Sequence, residues 1–405
     1  MRKRLLTFIF SLASAILFAG SLGEQNFKQK TAIPANLDSS FVWENGVLKC
    51  SLPSTPDGVK FIKQGVRTDV PLSLAGHLVE FSADARWIDA PAEGWKKQGN
   101  IQFAIYCKNN KTVWDGIRIT PAQKKWTSYK KIIQIPADMK LFRLVIGFEN
   151  ACGSFEVRNI ELKDLGMPVD IPKYANRAIR DTVAGDGKGG WIDQGPTQDG
   201  RAFEPAFRGN FISGAPFNIP DTRFDRNAKC IMVMRSATRN PNGILEQEIP
   251  VPPTKANYLY VLHALCYPGA NGTSAGRIIV TTESGTRTEL PVVVGRDLGD
   301  WYNGKSVTNG SDALRVKGRQ AEYVLYATRY ALPQTDKKIV SVCFISDNED
   351  KIWIIAGATL SENKYELAAV PKKQPLIIKA NTEWQPAIRT KSYHYRQPGS
   401  ILDVT

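Results

Sequence analysis

Short apolar segments with alternating polar residues recur along almost the whole chain, and they restrict what it can fold into. In the first half they occupy residues 76–83, 100–107, 116–120, 130–135, 141–148 and 154–162. Turn-forming residues separate them, such as Pro91 with Gly94 and Asn109 with Asn110, and no segment has the length and periodicity of a long helix. Many short strands punctuated in this way predict an antiparallel β-sandwich.

The second half repeats this pattern. Its apolar segments occupy residues 229–234, 245–251, 257–265, 277–282, 289–294, 322–327, 338–345 and 351–360. Between the halves lies a polar segment, 163–173, which contains Pro168 and Pro172. The sequence therefore predicts an all-β chain of two consecutive antiparallel β-sandwich domains, 41–162 and 174–364, joined by a linker at 163–173.

The two predicted domains end on similar patterns, which correspond without gaps. The matched positions are Leu141, Leu144, Val145, Ile146, Asn150, Phe155, Val157 and Leu162 in the first domain and Ile339, Val342, Cys343, Phe344, Asn348, Trp353, Ile355 and Leu360 in the second. We interpret the shared pattern as a final antiparallel hairpin in each domain. Core patterning alone can produce such a match, so it indicates like architecture and does not prove duplication.

The N-terminus has the features of a secretory signal. Arg2, Lys3 and Arg4 precede an apolar run at 5–18, and small residues follow at 19–23. We expect a signal peptide over 1–23, a polar leader over 24–40, and a secreted protein in an extracellular or periplasmic location. Because the apolar run is shorter than the roughly 20 residues of a membrane span, we expect no stable membrane insertion.

The chain is basic. It has 53 Lys and Arg residues against 39 Asp and Glu residues, a formal net charge of +14. Removal of residues 1–23 takes away three positive charges, which leaves 50 minus 39, or +11. For an exported protein this charge predicts attraction to acidic polysaccharides or to an anionic surface, with solubility as the alternative reason. The basic residues are scattered and accompany no nucleic-acid motif, so nucleic acid is not an expected partner.

The six cysteines divide equally between the two predicted domains. They are Cys50, Cys107, Cys152, Cys230, Cys266 and Cys343. Three cysteines in one domain cannot all pair with one another, and several interrupt apolar runs, so we expect mostly buried free thiols. One disulfide per domain is the alternative.

Motifs in the first predicted domain resemble those of a known family. They are the segment 126–129 (WTSY), the strands 132–136 (IIQIP) and 144–148 (LVIGF), and the closing segment 155–162 (FEVRNIEL). On these motifs residues 41–162 resemble the jelly-roll carbohydrate-binding modules of the galactose-binding-like superfamily. Residues 174–361, with 189–196 (GGWIDQGP) and 299–302 (GDWY), resemble a second sandwich seen beside such modules in secreted polysaccharide-degrading proteins.

The tail extends the resemblance. We expect residues 365–405 to form a C-terminal tail or connector. From residue 376 to the end, this segment is similar to the one that precedes a cellulase-like glycoside hydrolase module. The resemblance implies a secreted, non-catalytic polysaccharide-binding protein, accessory to polysaccharide degradation and with a catalytic glycoside hydrolase module as a partner. One alternative is a glycoside hydrolase or the N-terminal targeting segment of one, and another is a cell-surface structural or adhesion protein.

Exposed aromatic rings flanked by planar polar side chains are the usual way to hold a sugar, because sugars combine apolar C–H faces with hydroxyl groups. Nine tryptophans are present. The candidates in the first domain are Trp87, Trp95 and Trp114 with Asp115, which flank predicted turns. The candidates in the second domain are Trp191, Asp193, Gln194 and Arg201 in a Gly-rich loop, and Asp300 with Trp301.

The Gly-rich loop has a second reading, in which its own Asp and Gln side chains hold it in place by hydrogen bonds. In a further alternative, Asp186, Asp193 and Asp199 supply oxygen ligands to a structural calcium ion, although their spacing does not match an EF-hand. We expect no other cofactor or metal. We predict no catalytic residue. A glycosidase needs two carboxyl groups that face one another across a sugar, and the sequence pairs none.

Overall fold

The computed structural model describes residues 24–26, 40–52, 62–70, 72–88, 99–149, 152–196, 209–212, 214–220, 227–318, 321–333 and 336–367. The predicted signal peptide, nearly all of the polar leader, and all of the tail beyond residue 367 lie outside these residues. Within them, no helix combines the length and the apolar character needed to cross a membrane.

The first half of the chain forms a β-sandwich. Its strands are β1 (Glu24–Asn26), β2 (Phe41–Glu44), β3 (Val47–Leu52), β4 (Ile62–Val70), β5 (Leu78–Trp87), β6 (Gly99–Cys107), β7 (Thr112–Ile119), β8 (Thr127–Gln134), β9 (Met139–Glu149) and β10 (Gly153–Val169), with a 3-10 turn at Leu72–Leu74. One sheet has the order β8-β5-β10-β3-β2 and the other the order β4-β9-β6-β7. The core lies between the two sheets.

Alternation along the strands places the apolar side chains between the sheets. In β5, buried residues alternate with partly exposed ones from Phe81 to Trp87, as the two-residue period of a strand requires. Phe81 meets Phe103 of the opposite sheet edge to face, with ring centroids 4.8 Å apart. Such contacts make this an aromatic-rich core.

The second half forms another sandwich. Its elements are α1 (Ile171–Tyr174), β11 (Arg177–Ala178), β12 (Gly209–Ile212), β13 (Ala215–Ile219), β14 (Lys229–Val233), β15 (Glu246–Thr254), β16 (Tyr258–Cys266), β17 (Ser274–Thr282), β18 (Arg287–Val293), β19 (Gly310–Lys317), β20 (Glu322–Ala331), β21 (Ile339–Ser346) and β22 (Ile352–Ser361). One sheet has the order β19-β20-β16-β22 with β14 and β11 beyond β22, and the other the order β15-β21-β17-β18. A second core fills the space between them. The predicted all-β fold of two antiparallel sandwiches is confirmed.

The two sandwiches share one strand order. The sheet order β8-β5-β10-β3-β2 corresponds to β20-β16-β22-β14-β11, and β4-β9-β6-β7 corresponds to β15-β21-β17-β18. The pairing registers agree as well, since Ile101 pairs with Ile146 and Ile117 as Ile278 pairs with Phe344 and Leu290. The likeness therefore extends through both sheets and beyond the closing segments that the sequence match identified.

The closing segments do not form the predicted hairpins. Strand β9 pairs with β4 and β6, whereas β10 pairs with β3 and β5 in the opposite sheet. The same holds for β21 and β22. The turn between them therefore crosses from one sheet to the other, which the apolar pattern cannot distinguish from a hairpin because both arrangements alternate in the same way.

The structure places a strand where a linker was predicted. Residues 163–169 continue β10, whose last residues pair with β22, from Met167 with Leu360 to Val169 with Ala358. At the crossing, Gly166 has a φ of +124° and a Cβ there would lie 2.4 Å from the carbonyl oxygen of Leu360, so only glycine fits. One long strand thus belongs to both sandwiches. Pro168 is tolerated in it because it lies near the end, at an edge of the pairing.

All six cysteines fall within the described residues, and each is buried and free. The expectation of buried thiols is confirmed, and the alternative of one disulfide per domain is wrong. The Cys343 thiol also donates to Glu246 Oε1 at 3.5 Å, so not every thiol acts only as a small apolar group.

Candidate functional site

A cavity of about 230 Å³ opens at one end of the second sandwich. It forms where the loops that follow β16 and β18 meet the start of β20 and the loop after β11. Its lining residues are Ile192, Gln194, Cys266, Tyr267, Asp300, Trp301, Tyr302 and Tyr323. The fold therefore brings together three of the residues predicted from the sequence: Gln194 and, more than 100 positions further along the chain, the neighbours Asp300 and Trp301.

Stacked rings form the inner wall of this cavity. Trp301 stacks on Trp191 with ring centroids 6.0 Å apart and on Tyr323 with centroids 5.0 Å apart, at interplanar angles of 5° and 12°. Trp191 is fully buried and Trp301 is 4% exposed. These two tryptophans therefore do not offer a face to solvent, and the prediction of Trp191 as a platform is wrong: its loop folds the indole inward under Trp301.

Two tyrosines form the exposed aromatic surface of the cavity. Tyr302 is 41% and Tyr267 39% exposed. Tyr302 packs edge to face against Trp301, with centroids 5.9 Å apart, and its backbone N–H donates to Asp300 Oδ1. The guanidinium of Arg239 lies 4.0 Å from the centre of the Tyr267 ring. The sequence interpretation overlooked Tyr267, although its position between a strand and the Pro268-Gly269 turn was a signal of a loop residue.

Two polar groups of the cavity, Asp300 and Gln194, offer oxygens that can accept hydrogen bonds. Asp300 accepts from the backbone N–H of Tyr302 at 3.1 Å. Burial raises the pKa of the Asp300 carboxyl, and the backbone N–H groups of Tyr302 and Trp301 oppose that rise. Gln194 Oε1 is buried without a hydrogen-bond partner. A bound molecule can therefore donate hydrogen bonds to both oxygens.

The Tyr326 hydroxyl group holds the loop that carries Asp300 in place. The Tyr326 hydroxyl lies 3.1 Å from the carbonyl oxygen of Asp300 and 2.9 Å from that of Lys305, and it donates its proton to one of them. Burial raises the pKa of this phenol well above its ordinary value, so it remains a donor at any ordinary pH. The position of Asp300 therefore depends on packing and not on a bound molecule.

The Gly-rich loop is held by its own aspartates. Asp193 accepts from the backbone N–H groups of Gly185 at 3.0 Å and Gly187 at 2.7 Å, and Asp181 accepts from Gly195 at 2.7 Å. Asp193 also lies 3.7 Å from the guanidinium of Arg177. Asp193 is therefore a structural residue of the loop that presents Gln194, which is the second of the two readings given above.

Carboxylates of Asp181, Asp186 and Asp193 lie within 4.8 Å of one another. Asp199, the third member of the calcium alternative, is outside the described residues, and Asp181 takes its place. Backbone amides already occupy oxygens of all three side chains. The Arg177 charge beside Asp193 further disfavours a cation.

In the first sandwich, one predicted tryptophan is buried and another is exposed. Trp87 is fully buried and stacks on Phe155 with centroids 6.3 Å apart. Its prediction as a platform is wrong, because the alternation of β5 points it inward. Trp114 is 61% exposed on the outer face of β7, with Tyr106 6.3 Å away edge to face.

Asp115 follows Trp114 in the strand and therefore points to the opposite side. There it forms an ion pair with Lys131 of β8. The structure thus separates the predicted pair and leaves Trp114 as the exposed candidate of this sandwich. Trp95 and Arg201 lie outside the described residues.

Trp126 begins the segment 126–129 on which the family resemblance partly rests. It is half-buried on the outer side of the first sandwich. The guanidinium groups of Arg86 and Arg158 lie 4.5 Å and 4.0 Å from the centre of its ring. These cation–π contacts occupy the ring, which is therefore not an open surface for a ligand.

No protein-family model and no curated protein matches the chain. Among solved structures, the N-terminal CBM22-1-CBM22-2 tandem domain from Paenibacillus barcinonensis Xyn10C is similar at 10% identity and a TM-score of 0.25, over 85% of this chain and 99% of that one. The C-terminal family 22 carbohydrate-binding module of Clostridium thermocellum Xyn10B is similar at 10% identity and a TM-score of 0.22, over 34% and 95%.

A further similar structure is the Family 16 Carbohydrate Binding Module-2, at 17% identity and a TM-score of 0.23, over 29% of this chain and 74% of that one. These neighbours are carbohydrate-binding modules, the class of domain that the sequence motifs resemble. At such identities and TM-scores, the similarity assigns neither a family nor a ligand to this chain.

Proposed function

We propose that this protein binds polysaccharide without altering it, and that the cavity of the second sandwich holds one sugar unit of the bound chain. The observation that carries the proposal is the cavity itself. The exposed Tyr302 ring lines it beside two acceptors, Asp300 and Gln194, while Tyr267, whose ring carries the Arg239 guanidinium, forms its rim. Apolar rings with a few fixed polar groups match the C–H faces and hydroxyl groups of a sugar.

The composition of the lining favours binding over hydrolysis. Glycoside hydrolysis uses two carboxyl groups on either side of the scissile bond. Of the eight lining residues, Asp300 alone carries a carboxyl group. A single partly buried carboxylate among tyrosines can orient a sugar by accepting hydrogen bonds from its hydroxyl groups, which is a binding role.

Trp114 gives the first sandwich a second contact surface in this proposal. Its exposed ring is large enough to lie against a sugar, and Tyr106 supports it from the side. We assign it the lesser share, because no described cavity surrounds it.

Export and an accessory role complete the proposal. The N-terminal leader supports export, and non-catalytic binding suits a protein that works beside a catalytic glycoside hydrolase module. In this arrangement the sandwiches hold the polysaccharide, and the partner module cleaves it.

Affinity electrophoresis tests the proposal. Full-length protein is run through gels that contain a panel of neutral and acidic polysaccharides, together with Tyr302→Ala. We expect retardation by at least one polysaccharide, and loss of about 1 to 3 kcal/mol of binding free energy in the variant. Circular dichroism confirms that the variant is folded. Migration unaffected by every polysaccharide would overturn the proposal.

A further inference from the structure

The charge of the cavity differs in sign from that of the whole chain. The protein carries a net charge of +14, yet among the described residues that line the cavity none is lysine, arginine or histidine, and Asp300 is the one charged side chain of that set. Long-range attraction of acidic polymers follows from the net charge, but the local field of a partly buried carboxylate decides what enters a small cavity. The sequence-level expectation of an acidic ligand therefore does not extend to this site.

Within the part of the chain that the structure describes, no positively charged side chain pairs with Asp300. Its carboxylate accepts backbone N–H groups, and its immediate neighbours in the cavity wall are aromatic rings and a thiol. A carboxylate taken out of water in this way gains more from a charged donor than from a neutral one, because charge-assisted hydrogen bonds are the stronger kind. A ligand that brings a cation would supply the missing partner.

The surrounding groups also suit a cationic donor. Gln194 Oε1, buried and without a partner, is a second acceptor on the same wall. The exposed Tyr302 ring beside Asp300 can contribute a cation–π contact. The rim at Tyr267 already has the Arg239 guanidinium on its ring, which places the cationic subsite on the Asp300 and Tyr302 side.

Building on the proposed function, we propose that this cavity selects a sugar unit with a free, protonated amine, as in a polymer of glucosamine. The ammonium group donates to Asp300 and Gln194, and the ring lies against Tyr302. An N-acetylated unit loses the charge, a neutral hexose has only hydroxyl donors, and a uronic acid is repelled by Asp300.

Calorimetric titration of the full-length protein tests this. The probes are hexamers of glucosamine, of N-acetylglucosamine and of glucose, at one ionic strength and at a pH where the amine is protonated. We expect the glucosamine hexamer to bind about tenfold more tightly than the other two. The net positive charge of the protein acts against this ligand, so a preference cannot arise from non-specific attraction.

Two variants locate the effect. Asp300→Asn keeps the side-chain oxygen that accepts from Tyr302 and should abolish the preference. Glu289→Gln makes the same charge change on an exposed strand position outside the cavity and should retain it. Equal affinity for the glucosamine and glucose hexamers, or a preference that survives in Asp300→Asn, overturns the amine proposal but not the proposed function. Failure of polysaccharide binding altogether overturns both.

Discussion

The two sandwiches have the same strand order but place their largest core ring on different strands. In the first, Trp87 of β5 pairs with Phe155 of β10, and in the second the equivalent pair is Leu265 of β16 with Trp353 of β22. A glycine on the facing sheet makes room for the ring on β10 or β22, Gly99 beneath Phe155 and Gly276 beneath Trp353. The fold therefore fixes the side-chain volume that fills this position in the core, but not which of the two paired strands carries the large side chain.

The loops differ more than the cores. The second sandwich has a Gly-rich loop after β11 and a 16-residue connection, 294–309, between β18 and β19, and together they enclose the cavity. The first sandwich has no described cavity in the corresponding place, and its exposed ring is Trp114 on a strand, where the second sandwich has Arg287. The two cores therefore share one fold, whereas the connecting loops of the second sandwich form the candidate site.

The largest expected effect is the loss of stability on removing a large side chain from the core of the first sandwich. Trp87→Ala should lower the free energy of unfolding by about 3 to 5 kcal/mol, because a fully buried indole leaves a cavity. Trp114→Ala, at the exposed ring, should change it by less than about 0.5 kcal/mol. Urea unfolding followed by circular dichroism measures both. Similar losses in the two variants would contradict the contrast between the buried and exposed rings.

The next prediction concerns the pH dependence of the free energy of unfolding, which should differ between the two sandwiches. His263 is fully buried in the second sandwich, where it accepts from Trp353 Nε1 at 3.2 Å and donates to Thr328 Oγ1 at 3.0 Å. Burial lowers its pKa to about 4, whereas in the unfolded chain it titrates near 6.5. As the pH falls from about 7 to about 4, the unfolded state takes up a proton that the folded state excludes, so stability drops by about 3 kcal/mol.

The first sandwich has Ala85 in the equivalent position, which pairs with Val157 as His263 pairs with Ile355. This acid sensitivity therefore belongs to the second sandwich. His263→Gln keeps an acceptor and a donor and should reduce the pH dependence of urea unfolding. The same pH dependence in the variant and the wild type would contradict this assignment.

A smaller effect concerns the junction between the sandwiches. His77 Nδ1 lies 2.9 Å from Asp164, and its Nε2 lies 3.4 Å from Thr254 Oγ1 of the second sandwich. His77→Ala should cost about 1 to 2 kcal/mol, because it removes the imidazole partner of the partly buried Asp164 carboxylate, which then keeps the backbone N–H of Gly166. Lys130→Ala, which removes an exposed ion pair with Glu80, is the control and should cost less than about 0.5 kcal/mol. Equal thermal stability of both variants would show that the junction contact contributes little.

Much of the fold could be predicted from the sequence, because strand alternation and turn residues are local signals. The segment at 163–173 could not be predicted correctly, since its strand forms by pairing with β22, almost 200 positions away. The exposure of two tryptophan rings was also predicted wrongly, for two different reasons. Trp87 was placed beside a loop when the alternation of β5 already pointed it inward, and Trp191 lies in a loop whose inward path depends on Trp301. Asp300 and Gln194 were found as polar loop residues, but only the fold brings them to one cavity.

The central claim is that polysaccharide binds in the cavity of the second sandwich. Its most direct test is calorimetric titration of a soluble oligosaccharide, taken from whichever polysaccharide is retained in the gels, into the wild type, Tyr302→Ala and Trp114→Ala. We predict that Tyr302→Ala raises the Kd at least about tenfold and that Trp114→Ala raises it by less than that. An unchanged Kd in Tyr302→Ala, with loss of binding in Trp114→Ala, would contradict the claim and assign binding to the first sandwich.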